Sequence, residues 1–227
     1  MRRTLSCSGG LAGAVLIACN PAVTEEAVAQ ASAAEGSEPR AVAARTAIEV
    51  KRKARHTRVG RRLRVRGRVE PAVANRSVRL QIHRAGRWRT LDRARTRPRG
   101  RFTLSARPKQ ALSARLRIRV KRTDAARRQT RPVGRLNVYR MAAASWYGPG
   151  LYGNRTGCGG VLKPSTVGVA HKSLPCGTKV TLSHKGRSVR VPVVDRGPYV
   201  GNREYDLTSA VARRLSFEGH GPVLVTR

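Results

Sequence analysis

Three stretches in the first half of the chain alternate aliphatic residues with arginine or other polar residues. The aliphatic positions are Leu63, Val65 and Val69; Val78, Leu80 and Ile82; and Leu116, Ile118 and Val120. A period of two places alternate side chains on opposite faces of an extended strand, so each stretch predicts a half-buried antiparallel strand. Turn signals occur at Ala85-Gly86 and at Pro98-Arg99-Gly100. Short strands at this spacing, without a helical pattern, predict a β-sandwich over residues 46–138.

The arginines of these strands belong to a strongly basic chain. The 227 residues include 48 Lys+Arg and 12 Asp+Glu, which gives a net charge of +36. Such a chain binds polyanions of many kinds, so charge alone does not select a partner. Outward arginines on strands are ordinarily solvated; the functional alternative is a basic sheet face that holds anionic wall polymer or phospholipid. We find no recognised nucleic-acid motif and do not predict nucleic acid as a partner.

The stretch GRWRTLDRARTRPRGRFTL loosely resembles immunoglobulin-like modules of secreted bacterial proteins. The resemblance implies an immunoglobulin-like sandwich with a spacer or adhesive role. Trp88 and Phe102 could stack on bases or sugars, but without dense aromatic interleaving we predict that they pack in the core.

The N-terminal residues 1–29 are typical of an export leader. Arg2-Arg3 precede an apolar run, Leu11 to Ala18, that is too short to span a bilayer. Two ways of processing this leader remain open. Ala27-Val28-Ala29 is a small-residue cleavage site, whereas Leu16 to Cys19 resembles a lipoprotein signal with Cys19 as the acylated residue. The intervening polar stretch slightly favours Cys19. Residues from Gln30 to about Arg45 have no sustained period and predict a flexible tether.

Two of the four cysteines, Cys7 and Cys19, fall in the predicted leader. Cys158 and Cys176 are therefore the only pair in the body of the protein, and in an oxidising compartment we expect them to form a disulfide. Their spacing does not match a zinc site, so we predict no metal.

The segment 142–227 predicts a second, smaller β domain. Its short strand candidates are Ala143 to Tyr147, Val167 to Ala170, Thr178 to Leu182, Ser188 to Val194, and Val223 to Thr226. One helix is predicted near Leu207 to Leu215, with Thr208 as its N-cap and Gly219 after its end. Five or six strands with one short helix predict a closed β-barrel.

Four stretches of this segment resemble the double-psi β-barrel of the rare lipoprotein A (RlpA) family. They are ASWYGPGLYGNRTGCGG, VGVAHKSLPCGTKVTL, VPVVDRGPYVGNREYDLTSAVARRL and the closing Gly219 to Val225. The resemblance covers about 86 residues and implies an exported peptidoglycan lytic transglycosylase without a cofactor. The predicted chain is therefore all-β: an immunoglobulin-like sandwich, then a six-stranded double-psi β-barrel with one short helix.

The resemblance also assigns candidate site residues. The aspartate of the family's Asp-Arg-Gly-Pro motif falls on Asp195, and the histidine of its second motif falls on His171. Asp195 is implied to protonate the glycosidic oxygen between N-acetylmuramic acid and N-acetylglucosamine, and then to accept the proton of the C6 hydroxyl that closes a 1,6-anhydro ring. His171 is implied to assist. The alternative for Asp195 is capping of the Arg196-Gly197-Pro198 turn.

Further predicted substrate contacts are Trp146, Tyr147, Arg196, Tyr199 and Asp206. A helix-capping role is the alternative for Asp206. Catalysis by Asp195 would need partial burial of its carboxyl, with Arg196 pointing to the opposite face of the strand. Glu204, Glu218, His184 and His220 show no predicted pairing.

A non-catalytic module that binds or loosens wall polysaccharide, as expansins do, is the alternative function. Many family members carry a glutamate after the first strand, where this chain has TGCGGVLKP. We expect a monomer outside the cytoplasm, either secreted to the wall or lipid-anchored, with peptidoglycan glycan strands as its main partner.

Overall fold

The computed structural model describes residues 42–52 and 56–227. The predicted leader, Cys19 and most of the tether lie outside this range. The described residues include no helix with the length and hydrophobicity of a membrane span. The described chain is predominantly strand with a single α-helix, which confirms the all-β prediction.

Eight strands run in order through the first part of the described chain. They are β1 Ala47–Arg52, β2 His56–Arg58, β3 Leu63–Glu70, β4 Ser77–Arg84, β5 Arg87–Arg95, β6 Arg101–Ala106, β7 Leu112–Val120 and β8 Gln129–Tyr147. One sheet has the order β1-β3-β6, and the other has the order β5-β4-β7-β8 with β2 also paired to β8.

The two sheets share one apolar core, to which the alternating aliphatic residues contribute. Val65, Leu80 and Ile118 are fully buried, while the arginines between them are exposed or half-buried. The predicted turn between β4 and β5 is present, with Ala85 and Gly86 both at positive φ (48° and 71°), as tight hairpin turns require. The immunoglobulin-like character of this region and the boundaries 46–138 and 142–227 remain predictions.

Six strands close a barrel in the second part of the chain. The end of β8 is joined by β9 Val169–His171, β10 Lys179–His184, β11 Arg187–Asp195, β12 Tyr205–Thr208 and β13 Gly221–Val225. Their order is β12-β9-β11-β10-β13-β8, and β12 pairs in parallel with β8 to complete the ring. A second apolar cluster fills the barrel.

Strand β8 is continuous where the sequence predicted only a short strand at Ala143. Leu136 and Val138 pack in the first core, whereas Ala142 and Ala144 pack in the second. These residues keep the same parity, so one 19-residue strand supplies inward side chains to both cores. Arginine and small residues obscured the alternation in the sequence.

The predicted helix forms as α1, Ser209–Leu215, with Thr208 at its N-cap position. The Thr208 hydroxyl makes no capping bond; its oxygen instead accepts the amide of Gly168 at 3.3 Å. The helix ends at Leu215, as predicted, and its C-cap is Ser216 in a left-handed conformation, three residues before Gly219.

Candidate functional site

A cleft of about 340 Å³ opens on the barrel and contains two carboxyl groups, those of Asp195 and Asp206. Its wall includes four of the predicted contact residues, namely Tyr147, Arg196, Tyr199 and Asp206. The remaining lining comes mainly from the loop after β8 and from the turn after β11: Leu151, Asn154, Arg155, Thr156, Leu162, Ala170, Gly197, Pro198, Val200 and Arg203.

The strand order brings the two carboxyl groups together. Ala170 of β9 lies opposite Asp195 of β11 on one side and opposite Asp206 of β12 on the other. Neighbouring strands lie ~4.8 Å apart, which separates the two aspartate Cα atoms by roughly 10 Å. Ala170, whose side chain is a single methyl group, lines the cleft between the two acids.

Asp195 accepts three hydrogen bonds. Its Oδ1 accepts the backbone amides of Gly157 at 2.6 Å and Arg196 at 2.8 Å. Its Oδ2 accepts the hydroxyl of Tyr147 at 3.1 Å. All three partners are donors, which suits an ionised carboxylate. The predicted turn-capping contact of Asp195 is therefore present, and it coexists with exposure of the same carboxyl group to the cleft.

The Tyr147 ring lies against Asp195. Burial, followed by the charge of Asp195, raises the pKa of the Tyr147 phenol well above its usual range. The phenol therefore stays protonated and acts as a permanent donor to Asp195. The sequence predicted that one ring of Trp146 and Tyr147 faces sugar and the other packs inside, and it did not predict the bond from Tyr147 to Asp195.

Asp206 lies in strand β12 rather than at the start of the helix. Its Oδ1 accepts the hydroxyl of Ser145 at 2.8 Å, because Asp206 and Ser145 are paired neighbours on parallel strands. Burial raises the pKa of the Asp206 carboxyl, and the negative charge of Asp195 contributes a smaller increase. Asp206 therefore holds its proton at higher pH than an ordinary aspartate.

His171 does not line this cleft. Side chains alternate along β9, so Ala170 faces the cleft and His171 faces the other side. The imidazole packs edge-on against Tyr205, with ring centroids 4.8 Å apart, and the His171 side chain is 10% exposed. Its Nδ1 accepts the amides of Ser173 and Leu174 at 3.1 and 3.0 Å, so the proton of the neutral ring lies on Nε2.

Glu204 pairs with two partners that the sequence did not indicate. Arg140 Nη1 donates to its Oε2 at 2.8 Å, and Arg140 Nη2 contacts its Oε1. His171 Nε2 lies 3.7 Å from the same Oε1. The Arg140 guanidinium holds the pKa of the Glu204 carboxyl below its usual range, whereas burial lowers the pKa of His171. Arg140 and Glu204 are 64 positions apart, and no local motif connects them.

The Arg196 guanidinium binds the protein itself. Nη1 donates to the carbonyls of His171 and Leu174 at 3.2 and 2.8 Å, and Nη2 lies 3.0 Å from Cys176 Sγ. The predicted disulfide between Cys158 and Cys176 is confirmed, with their Cα atoms 5.7 Å apart. Arg196 and the disulfide therefore hold the loop segments next to Asp195.

The other two predicted aromatic contacts are in different surroundings. Tyr199 is 76% exposed at the cleft. Trp146 points away from Tyr147, as its neighbour on a strand must, and lines a separate pocket of about 490 Å³ with Tyr152 and Phe217. In the described part of the chain, no three His, Cys, Asp or Glu side chains group as a metal site would require.

The residues of this site lie in a segment that is similar to known proteins. Residues 140–226 match a family profile described as "Lytic transglycolase". A Synechocystis protein named "Probable endolytic peptidoglycan transglycosylase RlpA" is 40% identical over 100 residues, which are 39% of this chain and 31% of that protein. The Campylobacter jejuni "Endolytic peptidoglycan transglycosylase RlpA" is 42% identical over 80 residues, 34% of this chain and 29% of that protein.

A similarly named Pseudomonas aeruginosa protein is 37% identical over 97 residues, which are 41% of this chain and 28% of that protein. The chain thus spans about a third of the length of the curated relatives it matches. The family profile falls on the segment that carries the six closed strands and both cleft carboxyl groups. Residues 140–226 of this chain form an RlpA-like double-psi β-barrel.

Proposed function

We propose that this protein is a peptidoglycan lytic transglycosylase that cleaves glycan strands in the barrel cleft. The observation that carries the proposal is the pair of carboxyl groups, Asp195 and Asp206, on either side of Ala170 in one open cleft. The names of the matched relatives support the same reaction and the same substrate class.

The two carboxyl groups have different surroundings, which suggests different tasks. Asp206 has a raised pKa and is the group that can carry a proton to the glycosidic oxygen as the C1–O bond breaks. Asp195 accepts hydrogen bonds only and is the group that can take the proton of the C6 hydroxyl as the new C1–O6 bond forms. No water enters the products, so the ring closes as a 1,6-anhydro sugar. Asp195 was predicted to perform both proton transfers; the half-buried Asp206 in the same cleft makes a division between two groups the better proposal.

His171 takes a positioning role in this proposal. Its Nδ1 orders the turn at Ser173 and Leu174, and its carbonyl accepts Arg196, the residue next to Asp195. Tyr147 likewise holds Asp195 in place through its hydroxyl. Tyr199 is the exposed aromatic residue at the cleft and is the candidate for contact with a sugar ring.

Binding of wall glycan without cleavage is the second candidate function. The loop that follows β8 lines the cleft with Asn154, Arg155, Thr156 and Leu162 and contributes no carboxyl group to it. A cleft in which both acids only hold hydroxyl groups of the glycan would bind strands without forming anhydro ends.

The substrate places the protein outside the cytoplasm, either secreted to the wall or anchored through a lipid. Peptidoglycan glycan strands are the proposed partner, and the protein acts as a monomer without a cofactor. Anionic wall polymers or the membrane surface are further partner candidates, through the basic sandwich.

The test is to incubate the purified chain with peptide-stripped glycan strands and to detect 1,6-anhydro ends by mass spectrometry. Asp195→Asn and Asp206→Asn should each abolish or severely reduce these ends. Glu218→Gln is the matched control, because this exposed acid lines the other pocket and should leave the products unchanged. If no protein forms anhydro ends while all of them sediment with the strands, the binding function replaces the enzymatic one.

A further inference from the structure

The outer face of the sheet β5-β4-β7-β8 carries arginines that lie opposite one another across strands. Arg79 of β4 is paired in register with Arg93 of β5 on one side and with Arg119 of β7 on the other. On the same sheet, Arg115 of β7 is paired with Arg135 of β8. Val78 and Leu80, the neighbours of Arg79 in the chain, are fully buried. Side chains alternate along a strand, so Arg79 and the arginines opposite it point away from the core.

This arrangement is electrostatically unfavourable in the free protein. Like charges directly opposite on neighbouring strands repel one another. The four strands contain a single acidic residue, Asp92, and its Oδ2 accepts the amide of Ser105 from the opposite sheet instead of pairing with an outer arginine. Among the described residues, the Nε of Arg79 is also buried without a hydrogen-bond partner.

The other sheet of the same region shows that the chain can pair its arginines with acids. Arg68 of β3 lies opposite Glu49 of β1, and its Nε is 2.7 Å from Oε1 of Glu70, in the geometry of an ion pair and not of a hydrogen bond. Arginines also lie opposite one another on that sheet, as Arg68 and Arg101 do, but acidic residues accompany them there. The outer side of the β5-β4-β7-β8 face has no such acid.

The face is also unsuited to inserting into lipid or stacking on bases. On these four strands the exposed large apolar residues are Met141 and Trp146, and both lie at the barrel end of β8, beyond the segment that pairs with β7. Its aromatic residue Trp88 is covered by the guanidinium of Arg117, whose central carbon lies 3.9 Å from the ring centroid. Burial and then the charge of Arg119 lower the pKa of the Arg117 guanidinium, as expected for unneutralised neighbours. Such a face offers charge and bidentate donors but no apolar wedge or open ring.

We propose that the outer face of the sheet β5-β4-β7-β8 binds a linear anionic wall polymer through its phosphodiester groups. The row from Arg93 to Arg119 spans roughly 10 Å across three strands, and arginines along β7 repeat at roughly 7 Å. A flexible chain of phosphates can therefore contact several guanidinium groups at once and relieve their repulsion. The choice of a wall polymer rests on the proposed function of the barrel, since the enzyme and this polymer would share one compartment.

The test measures binding of the full chain to soluble poly(glycerol phosphate) at increasing salt. Affinity should fall at least tenfold between 50 and 200 mM NaCl. Binding releases counterions from the polymer, and added salt opposes that release. The triple variant Arg79→Gln/Arg93→Gln/Arg119→Gln should lose at least tenfold affinity at 50 mM NaCl, and the slope of log affinity against log salt should become shallower by about 2.

The matched control is Arg64→Gln/Arg66→Gln/Arg101→Gln, which removes the same charge from exposed positions on the other sheet. It should change affinity less than threefold. Because Arg79 is half-buried and its replacement can impair folding, the pair Arg115→Gln/Arg135→Gln provides a second test and should weaken binding at least threefold.

Three results would overturn the inference: equal losses in the test and control triples, binding that ignores salt, or tighter binding through the same arginines to phosphatidylglycerol vesicles or single-stranded DNA of equal phosphate content. Cleavage of peptide-stripped strands needs no anionic polymer, so both triples should keep it. The binding inference and the proposed enzymatic function can therefore fail independently.

Discussion

Removing the disulfide tests how the cleft is held together. The double variant Cys158→Ser/Cys176→Ser opens a link between residues 18 positions apart. In the chain-entropy account, a loop of this length contributes about 3 kcal/mol to the free energy of unfolding. The double variant should lose about as much free energy of unfolding as the parent protein loses on reduction with dithiothreitol, because both changes break the same disulfide.

The same change should also weaken cleavage. Cys158 directly follows Gly157, whose amide donates to Asp195, and Cys176 lies beside the guanidinium of Arg196. A Cβ at position 157 would meet the Arg196 side chain at 2.7 Å, so this loop packs closely against the residue next to the acid. Loosening the amide of Gly157 should slow formation of anhydro ends roughly tenfold, since hydrogen bonds to charged groups are worth about 1.5–3 kcal/mol.

The measurement is urea unfolding followed by Trp146 fluorescence in a Trp88→Phe background, which isolates the signal of the barrel. Anhydro ends are counted by mass spectrometry at a urea concentration of zero, where both proteins are folded. A stability loss below about 1 kcal/mol would contradict the entropic argument. If the free energy of unfolding falls by the predicted ~3 kcal/mol but the cleavage rate is unchanged, the proposed link between the disulfide and Asp195 is refuted.

Three further predictions concern single side chains. Tyr147→Phe removes a donor from Asp195 and should lower the rate of anhydro-end formation about tenfold to a hundredfold, with little change in strand binding measured by sedimentation. Burial lowers the pKa of His171, so the folded state binds fewer protons than the unfolded state below pH ~6.5, and the parent should lose stability on acidification from pH 7 to 5. The variant His171→Asn keeps an acceptor near the position of Nδ1. Its free energy of unfolding, measured by urea titration, should fall less than that of the parent between pH 7 and 5. The raised pKa of Asp206 has the opposite sign: its stabilising contribution is complete below pH ~3.9 and is lost as pH rises through the folded pKa, so Asp206→Asn should gain stability relative to the parent between pH 4 and 7. A constant difference between Asp206→Asn and the parent would show that the carboxyl does not titrate as described.

Much of the strand content was predictable because alternation is a local property. The aliphatic residues of β3, β4 and β7 repeat every second position, and all three strands are present with those residues inside. Strand β5 was missed because Leu91 interrupts its alternation at a bulge, where Leu80 pairs with Asp92 and Gln81 with Thr90. Strand β12 was missed because its four residues run directly into the helix that dominates the local pattern.

The candidate site was predicted in part for the same reason. Asp195 at the end of an apolar strand and the pairing of Cys158 with Cys176 both follow from residue type and position. The sequence prediction placed His171 in one cleft with Asp195, but His171 does not line that cleft. Adjacent residues of β9 face opposite sides of the strand, and only the folded barrel shows which side holds the cleft.

Four features could be predicted from the sequence: several of the strand-forming segments, the disulfide pair, the excess of positive charge and the position of Asp195 at the end of its strand. The folded chain brings Asp206 into the cleft of Asp195, Glu204 to Arg140 and His171, and Arg79 between two arginines, and none of these contacts could be predicted from the sequence. Periodicity assigns side chains to the faces of their own strand, but it does not say which strands become neighbours or in what register. Contacts between residues about 60 positions apart depend on that pairing, which follows from packing of the whole barrel.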